Sequence, residues 1–272
     1  MSSSTLSIAT WNVNSIKARH DHLLKWLEEA RPDFAALQET KTIDSAFPVE
    51  SFANLGYECI FFGQKTYNGV AVLTKRKVDS FETGATKFAH LEASEGIENH
   101  QARFLRVNSM GLNIINVYVP NGSEVGSSKY DYKLAWLRAL RKYLDENFSL
   151  EDNVIILGDF NIAPYDIDVY DPVAWAGQVL TSEAERQALD NVCKWGHGLT
   201  DAFRMFEKEG GHYSWWDYRM LAFQKKMGLR IDHIWISKSL ESRCVAARID
   251  KYMRKLERPS DHAPVVASLE IV

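Results

Sequence analysis

Asn12, Glu39, Asp159, Asn161 and Asp261 each stand beside a short apolar run, at the point where it meets polar residues. Three carboxylates and two amides are hard oxygen donors with no thiolate among them. Such a set suits Mg²⁺ or Mn²⁺ rather than zinc or copper. Gathered without a cation, the carboxylates would repel one another and their pKa values would rise, so a bound metal is the natural neutraliser. A second element is Asp232 with His262. A carboxylate about thirty residues upstream can reach an imidazole across neighbouring strands and fix its tautomer, leaving the ring to act on a phosphate as proton carrier or donor. Singly, each residue has a plainer use: Asn12 or Asn161 can cap a turn, and Glu39 can pair with Lys41. Their shared placement at run ends favours a site.

The runs themselves are the elements that must position these groups. LSIATWNVN ends on Asn12 and Asn14, DFAALQETK on Gln38, Glu39 and Lys41, NIINVYVPNG on Tyr118 and Asn121, and NVIILGDFN on Asp159 and Asn161. LRIDHIWIS and SDHAPVVASLEIV instead carry Asp232, or Asp261 and His262, at their beginning. Four to six apolar or β-branched residues bounded by turn residues predict strands buried on both faces. If strands ending in polar groups lie antiparallel to strands beginning with them, every polar group falls on one edge of the sheets. Between the runs, HDHLLKWLEEARPD puts Leu23, Leu24, Trp26 and Leu27 on one helical stripe and stops before Pro32. YKLAWLRALRKYLDEN repeats Leu134, Leu137, Leu140 and Leu144, and TSEAERQALDNVCKWG opens on a cap signal and closes at Gly196. Strands alternating with helices predict an α/β (α+β) layered fold. No linker or composition break divides the 272 residues, so a single domain is expected.

The three cysteines are widely spaced and form no C-x-x-C pair, which argues against a disulfide framework or a zinc site and predicts reduced thiols. The first residues have no basic and apolar leader pattern, and no stretch is long and apolar enough for a membrane span. A soluble, cytoplasmic protein without a membrane partner is expected. A net charge of −4 means that a polyanion would have to be held by local basic groups. Candidates are Arg138, Arg141 and Lys142; Lys225, Lys226 and Arg230; and Lys251, Arg254, Lys255 and Arg258, each of which can equally be a solvated surface. HYSWWDYR packs Tyr213, Trp215, Trp216 and Tyr218 into six residues, either as core or as a platform for unstacked bases or a sugar. GSEVGSSK is not a P-loop, and Asp166, Asp168 and Asp171 lack the EF-hand glycine and glutamate. His20, His22, His90, His100, His197, His212 and His233 are read as structural.

Nine ordered blocks carry a resemblance: WNVNS (11 to 15), LQETK (37 to 41), NGVAVLTK (68 to 75), NVYVPNG (116 to 122), KYDYKLAWL (129 to 137), GDFNIAP (158 to 164), SWWDYR (214 to 219), LRIDHI (229 to 234) and SDHAPV (260 to 265). In this order the chain resembles the exonuclease III family of apurinic/apyrimidinic endonucleases from about residue 6 onward. The resemblance implies a four-layered α/β sandwich over residues 6–272, two mixed sheets packed together with helices outside, after a short extension of residues 1–5. It implies a monomeric enzyme that requires Mg²⁺ or Mn²⁺, cuts duplex DNA 5′ to abasic sites, and has 3′-5′ exonuclease and 3′-phosphatase activity. Glu39 is similar to the principal metal ligand, supported by Asn12 and Asp261 with Asp159 and Asn161 close by. Asp159 resembles the proton-transfer residue and Asn161 the amide that holds the nucleophile. His262, oriented by Asp232, resembles the phosphate-contacting histidine, Tyr118 the phenol beside the scissile phosphate, and Asn121 a phosphate-binding amide. Trp215 and Leu229 fall where the family lines the pocket for the abasic sugar, with Trp216 and Arg230 beside them as DNA contacts. The absence of a long basic tail before residue 6 is the pattern of the bacterial enzymes. Gln101, Ala102 and Arg103 stand where some members have an acidic residue, Gly and Arg.

Three other readings are open at this stage. A phosphatase or phospholipase on the same scaffold is opposed by SWWDYR and KYDYK, blocks of the nuclease branch expected to face DNA. A noncatalytic DNA-binding relative would have lost one of Glu39, Asp159, Asp232 or His262, and none is lost. A predominantly 3′-end-processing enzyme stays open, because a bulky Trp-Trp pocket can favour exonuclease over endonuclease action.

Overall fold

A computed structural model describes residues 5–84 and 101–271. The apolar runs form two six-stranded sheets. The first has the order β11 (Cys244–Ile249), β12 (Val265–Glu270), β1 (Thr5–Asn12), β2 (Phe34–Gln38), β4 (Val70–Thr74) and β3 (Glu58–Phe62). The second runs β5 (Ser80–Thr83), β6 (Phe104–Ser109), β7 (Leu112–Tyr118), β8 (Asn153–Asp159), β10 (Asp232–Ser237) and β9 (Leu199–Asp201). Both sheets are mixed: β1 pairs parallel with β2 and antiparallel with β12, and β8 pairs parallel with β7 and antiparallel with β10. β1 begins at Thr5, one residue before the expected domain start.

Alternation of side chains along each strand divides the core into layers. Leu6 and Ile8 of β1, Phe34 and Ala36 of β2, Ile155 and Leu157 of β8, and Ile234 and Ile236 of β10 meet between the sheets. Their neighbours point outward. Ala9 and Trp11 pack under α1 (His20–Ala30) and α2 (Val49–Ala53) through Leu23, Trp26, Leu27 and Phe52. Val154 and Ile156 pack under α3 (Ser128–Asn147) through Trp136, Leu137, Leu140 and Leu144. Past the short α4 (Pro172–Trp175), α5 (Glu183–Cys193) adds Leu189 and Val192 to that layer. The result is the expected four-layered sandwich, helices outside two packed sheets. Ser182 and Glu185 form the capping box that the sequence predicts for α5.

The inner layer is apolar except near one end. There Gln38 donates to Asn116 across the sheets at 2.7 Å and to Thr10 Oγ1 at 2.9 Å, while Asn116 returns two bonds to the carbonyls of Leu37 and Ala71. These bonds use the donors of both buried amides, while Gln38 Oε1 is left without a partner among the described residues. The three cysteines are unpaired. Among the described residues, no helix is long and apolar enough to cross a membrane.

Candidate active site

The same alternation that buries Ile8, Leu157 and Ile234 between the sheets carries Asn12, Asp159 and Asp232 to the end of that layer. The register pairs Asp159 with Asp232 across antiparallel strands and with Tyr118 across parallel ones. Asn12 pairs with Gln38, so Glu39 follows at the same edge. Asp261 and His262 lie in the loop just before β12 rather than in the strand. All the polar groups therefore collect on one edge, as the opposed polarity of the runs requires.

The contacts there are dense. The Asn12 amide nitrogen donates to Glu39 Oε1 and to Asp159 Oδ2, both at 2.9 Å, and Tyr118 donates its phenol proton to Glu39 Oε1 at 2.9 Å. Lys41 closes the other oxygen of Glu39 at 2.7 Å. Asp232 Oδ2 accepts from His262 Nδ1 at 2.8 Å, which turns Nε2 toward Asp159 Oδ2, 3.8 Å away. Asp261 accepts from the amide of Asn14 at 2.9 Å and from the indole of Trp215 at 3.1 Å. The amide of Asn121 donates to Asn161 Oδ1 at 3.0 Å.

The two-residue spacings now have a physical reason. Asp159 Oδ1 accepts the backbone N–H of Asn161 at 2.9 Å, and Asn12 Oδ1 accepts that of Asn14 at 3.0 Å. Both Asn14 and Asn161 take left-handed backbone conformations, with φ of 45° and 50°. Asparagine tolerates that region better than other side chains. Each strand end thus folds back on itself and locks its own side chain. The repeated spacing from Asn12 to Asn14 was the signal that could have marked Asn14, which the sequence reading did not assign to the site. Ser260 and Arg103 were also missed. Ser260 Oγ donates to the Asn12 carbonyl at 2.7 Å, and the Arg103 guanidinium stacks on the Tyr118 ring at 4.5 Å. Both stand in stretches that the resemblance marks, Ser260 at the head of SDHAPV and Arg103 at the end of Gln101-Ala102-Arg103, and that was the signal for them.

Electrostatics separates the acids. Burial acts to raise the pKa of Glu39, but Lys41 and the Asn12 amide outweigh it and hold the group low. Burial likewise opposes ionisation of Asp261, and His262 with the two donors overcomes it. Asp159 goes the other way: burial, with Asp232 and Glu39 nearby, pushes it up against the pull of His262. Burial should discharge His262, yet Asp232 and Asp159 hold its pKa well above the usual value. One proton is thereby kept on the His262 side of a pair of buried carboxylates. Burial and the charge on Glu39 keep Tyr118 a phenol.

Asp159, Asp232 and His262 each offer an atom within 4.8 Å of the others, a group able to hold a metal ion. Asp232 Oδ1 is buried and has no hydrogen-bond partner among the described residues. An unsatisfied buried carboxylate oxygen beside further carboxylates fits a cation; because His262 is held protonated on Asp232, the donors open to a divalent metal are Asp159 and the ionised Glu39, which the Asn12 amide joins.

Not every expected residue reaches this edge. Trp215 does, half-buried, and with Trp175, Tyr170 and Met227 it lines a cavity of about 330 Å³. Leu229 is fully buried behind Trp215, bridged to it backbone to backbone. Trp216 turns to the opposite side and packs with Tyr213, Ala222 and Phe223, so it is core and not pocket wall. Arg230, expected to contact DNA, is fully buried; Asp168 and Asp201 bind its guanidinium at 2.7 Å each, and it reaches His233 at 3.0 Å. Enclosed in this way, it is out of reach of a phosphate on the surface. KYDYK also differs from expectation, since Tyr130, Tyr132 and Lys133 are buried against the core instead of facing DNA. His90 and His100 lie outside the described residues.

Comparisons with known proteins find relatives over nearly the whole chain. The model of the Endonuclease/Exonuclease/phosphatase family matches residues 9–262. Exodeoxyribonuclease III of Haemophilus influenzae is 33% identical over 97% of this chain and 100% of its own. A 3′ phosphatase, NExo from Neisseria, solved with a product DNA hairpin, superposes with a TM-score of 0.90 at 38% identity, covering 98% of this chain and 100% of that one. An AP endonuclease from Archaeoglobus fulgidus superposes with a TM-score of 0.89 at 34% identity over 98% and 100% of the two chains.

Proposed function

We propose that this chain, which belongs to the endonuclease/exonuclease/phosphatase family, is a divalent-metal-dependent DNA-repair nuclease that hydrolyses the phosphodiester 5′ to abasic sites and processes 3′ ends. The observation that carries the reading is the meeting of Glu39, Asp159 and the Asp232–His262 pair at one edge, a short way from the Trp215 cavity. In-line attack on a phosphodiester builds negative charge on the nonbridging oxygens, and preorganised donors stabilise it. Mg²⁺ or Mn²⁺, held by Glu39 and Asp261 with Asp159, Asn161 and Asn12 beside them, supplies Lewis acidity toward those oxygens when bound.

The chain's own residues do the rest. Asp159, made a stronger base by burial, takes the proton of the attacking water. Asn161 holds that carboxylate by its backbone N–H. His262 presents Nε2 while Asp232 retains the Nδ1 proton, so the ring donates to a phosphate oxygen. The Tyr118 phenol and the Asn121 amide add donors on the opposite wall. An abasic nucleotide has no base to unstack, so its sugar turns out of the duplex at low cost. The Trp215 cavity, backed by Leu229, suits that sugar. The enzyme works as a monomer in the cytoplasm. Likeness to the Neisseria 3′ phosphatase supports a second reading, in which 3′-end processing dominates.

The test uses a duplex with one tetrahydrofuran abasic analogue and a second duplex with a recessed 3′-phosphate, each in Mg²⁺ and in EDTA. Cleavage 5′ to the analogue that disappears in EDTA is expected. An intact strand beside a processed 3′ end would reverse the order of the two readings, and inertness on both would refute the function. Glu39→Ala should raise the metal concentration needed for half-maximal rate; an unchanged titration removes Glu39 from the ligand set.

A further inference from the structure

Lys133 is fully buried, as is its partner Glu185. A buried ammonium must place its protons on acceptors, and Lys133 does so on three oxygens. These are the backbone carbonyl of Asn121 at 3.0 Å, that of Asn161 at 2.6 Å, and Glu185 Oε1 at 2.5 Å. Asn121 and Asn161 lie at the ends of different loops, after β7 and after β8, and their side-chain amides meet at 3.0 Å. Asn161 keeps a left-handed backbone there, and its amide nitrogen also reaches the Val119 carbonyl at 3.0 Å. Glu185 in turn caps α5, accepting from the backbone N–H groups of Leu180 and Ser182 at 3.0 and 3.1 Å.

We infer that Lys133 is a positioning residue for phosphodiester hydrolysis: its ammonium ties the carbonyls of Asn121 and Asn161 together, fixes the spacing of their amides, and so holds Asp159 in its working orientation. The inference rests on the proposed function and deepens it. Lys133 touches no substrate, because α3 and the two loops enclose it. Its contribution falls on turnover and not on capture of DNA. Loosening the tie by about 1 Å would lower the rate by roughly 10²-fold.

Lys133→Met alone leaves Glu185 charged and buried, and the protein could fail to fold for that reason. Lys133→Met/Glu185→Gln removes both charges and keeps an acceptor for the α5 cap. The double variant loses the donor to two buried carbonyls and is expected to melt below wild type while staying folded at the assay temperature, and to bind nicked or abasic duplex in EDTA as tightly as wild type, by fluorescence anisotropy. Its kcat should fall about 10²-fold with KM little changed. Wild-type kcat in this folded variant overturns the inference, as does a loss confined to KM. Failure of the wild type to cleave any duplex refutes the proposed function instead. The crystal structure of the double variant then decides: amides of residues 121 and 161 still 3.0 Å apart, with residue 161 still left-handed, overturn the positioning role, and their separation supports it.

Discussion

Replacing Gly158 with alanine would place a methyl carbon 1.9 Å from the carbonyl oxygen of Val117 and 2.8 Å from its carbonyl carbon, in the neighbouring strand β7. Those are backbone atoms in mid-sheet, which no rotamer change can move. Contacts under 3.0 Å are essentially never seen for a Cβ, so the strands must part by about 1 Å. Gly158 also has φ 150°, a conformation that side chains rarely adopt. The next residues on the two strands are Tyr118 and Asp159, which pair directly, so the displacement falls on the site. A shift of ~1 Å in a reacting group costs ~10²-fold in rate. Overpacking at ~1–3 kcal/mol and backbone strain at ~1–3 kcal/mol together destabilise by ~2–6 kcal/mol. At ~2–4 °C per kcal/mol the melting temperature should fall by ~4–24 °C. Single-turnover cleavage of the abasic duplex at saturating Mg²⁺ reads the first quantity, and calorimetry reads the second. A Gly158→Ala protein with wild-type rate and melting temperature would refute the reasoning, for the Asp159 to Tyr118 spacing would then be irrelevant to both.

Two further outcomes follow from named contacts. Burial and the adjacent Arg230 guanidinium hold His233 down to about 4, neutral, with its ring nitrogens facing the Ile162 carbonyl and Arg230. The unfolded chain binds that proton near pH ~6.5, so stability should be full above pH ~6.5 and fall by roughly 3 kcal/mol as the pH drops toward ~4. Urea unfolding of wild type and His233→Gln across that window checks it, and equal pH slopes would sink the assignment. Asp232→Asn should lower turnover by ~10²–10⁴-fold through the wrong His262 tautomer while leaving duplex binding in EDTA intact. A near-wild-type rate would mean that the imidazole needs no orienting carboxylate.

Much of the site was legible because a strand end is a sequence event. The run Val154 to Leu157 stops at Gly158 and Asp159, and the opposed order in LRIDHIWIS requires Asp232 to land beside it. The helices were legible from their stripes, although Leu134 proved only half-buried and Tyr130, Tyr132 and Lys133 joined the buried face. What could not be read was direction. Trp215 and Trp216 are chemically the same, yet adjacent residues in extended chain point to opposite sides, so one lines a cavity and the other fills the core. Arg230 looked like a DNA contact because a guanidinium suits phosphate. Its partners Asp168 and Asp201 lie far away in sequence, and only the folded chain brings them to it. Gly158 lies within β8, where its missing side chain makes room for β7.

The Gln38 and Asn116 amides that bond across the inner layer have a consequence for how activity and folding are coupled. Asn12, Glu39 and His262 stand in or beside strands of one sheet, and Tyr118, Asp159 and Asp232 lie in the other, so neither half contains a working set. An apolar interface alone lets one slab glide over another by a fraction of a side chain at little cost. Directional bonds do not, and this pair acts as a dowel near the working edge. Hydrolysis thereby becomes a gauge of sheet docking: a partly unfolded state that kept every strand and helix but lost the dowel would retain its far-UV circular dichroism and lose its catalysis.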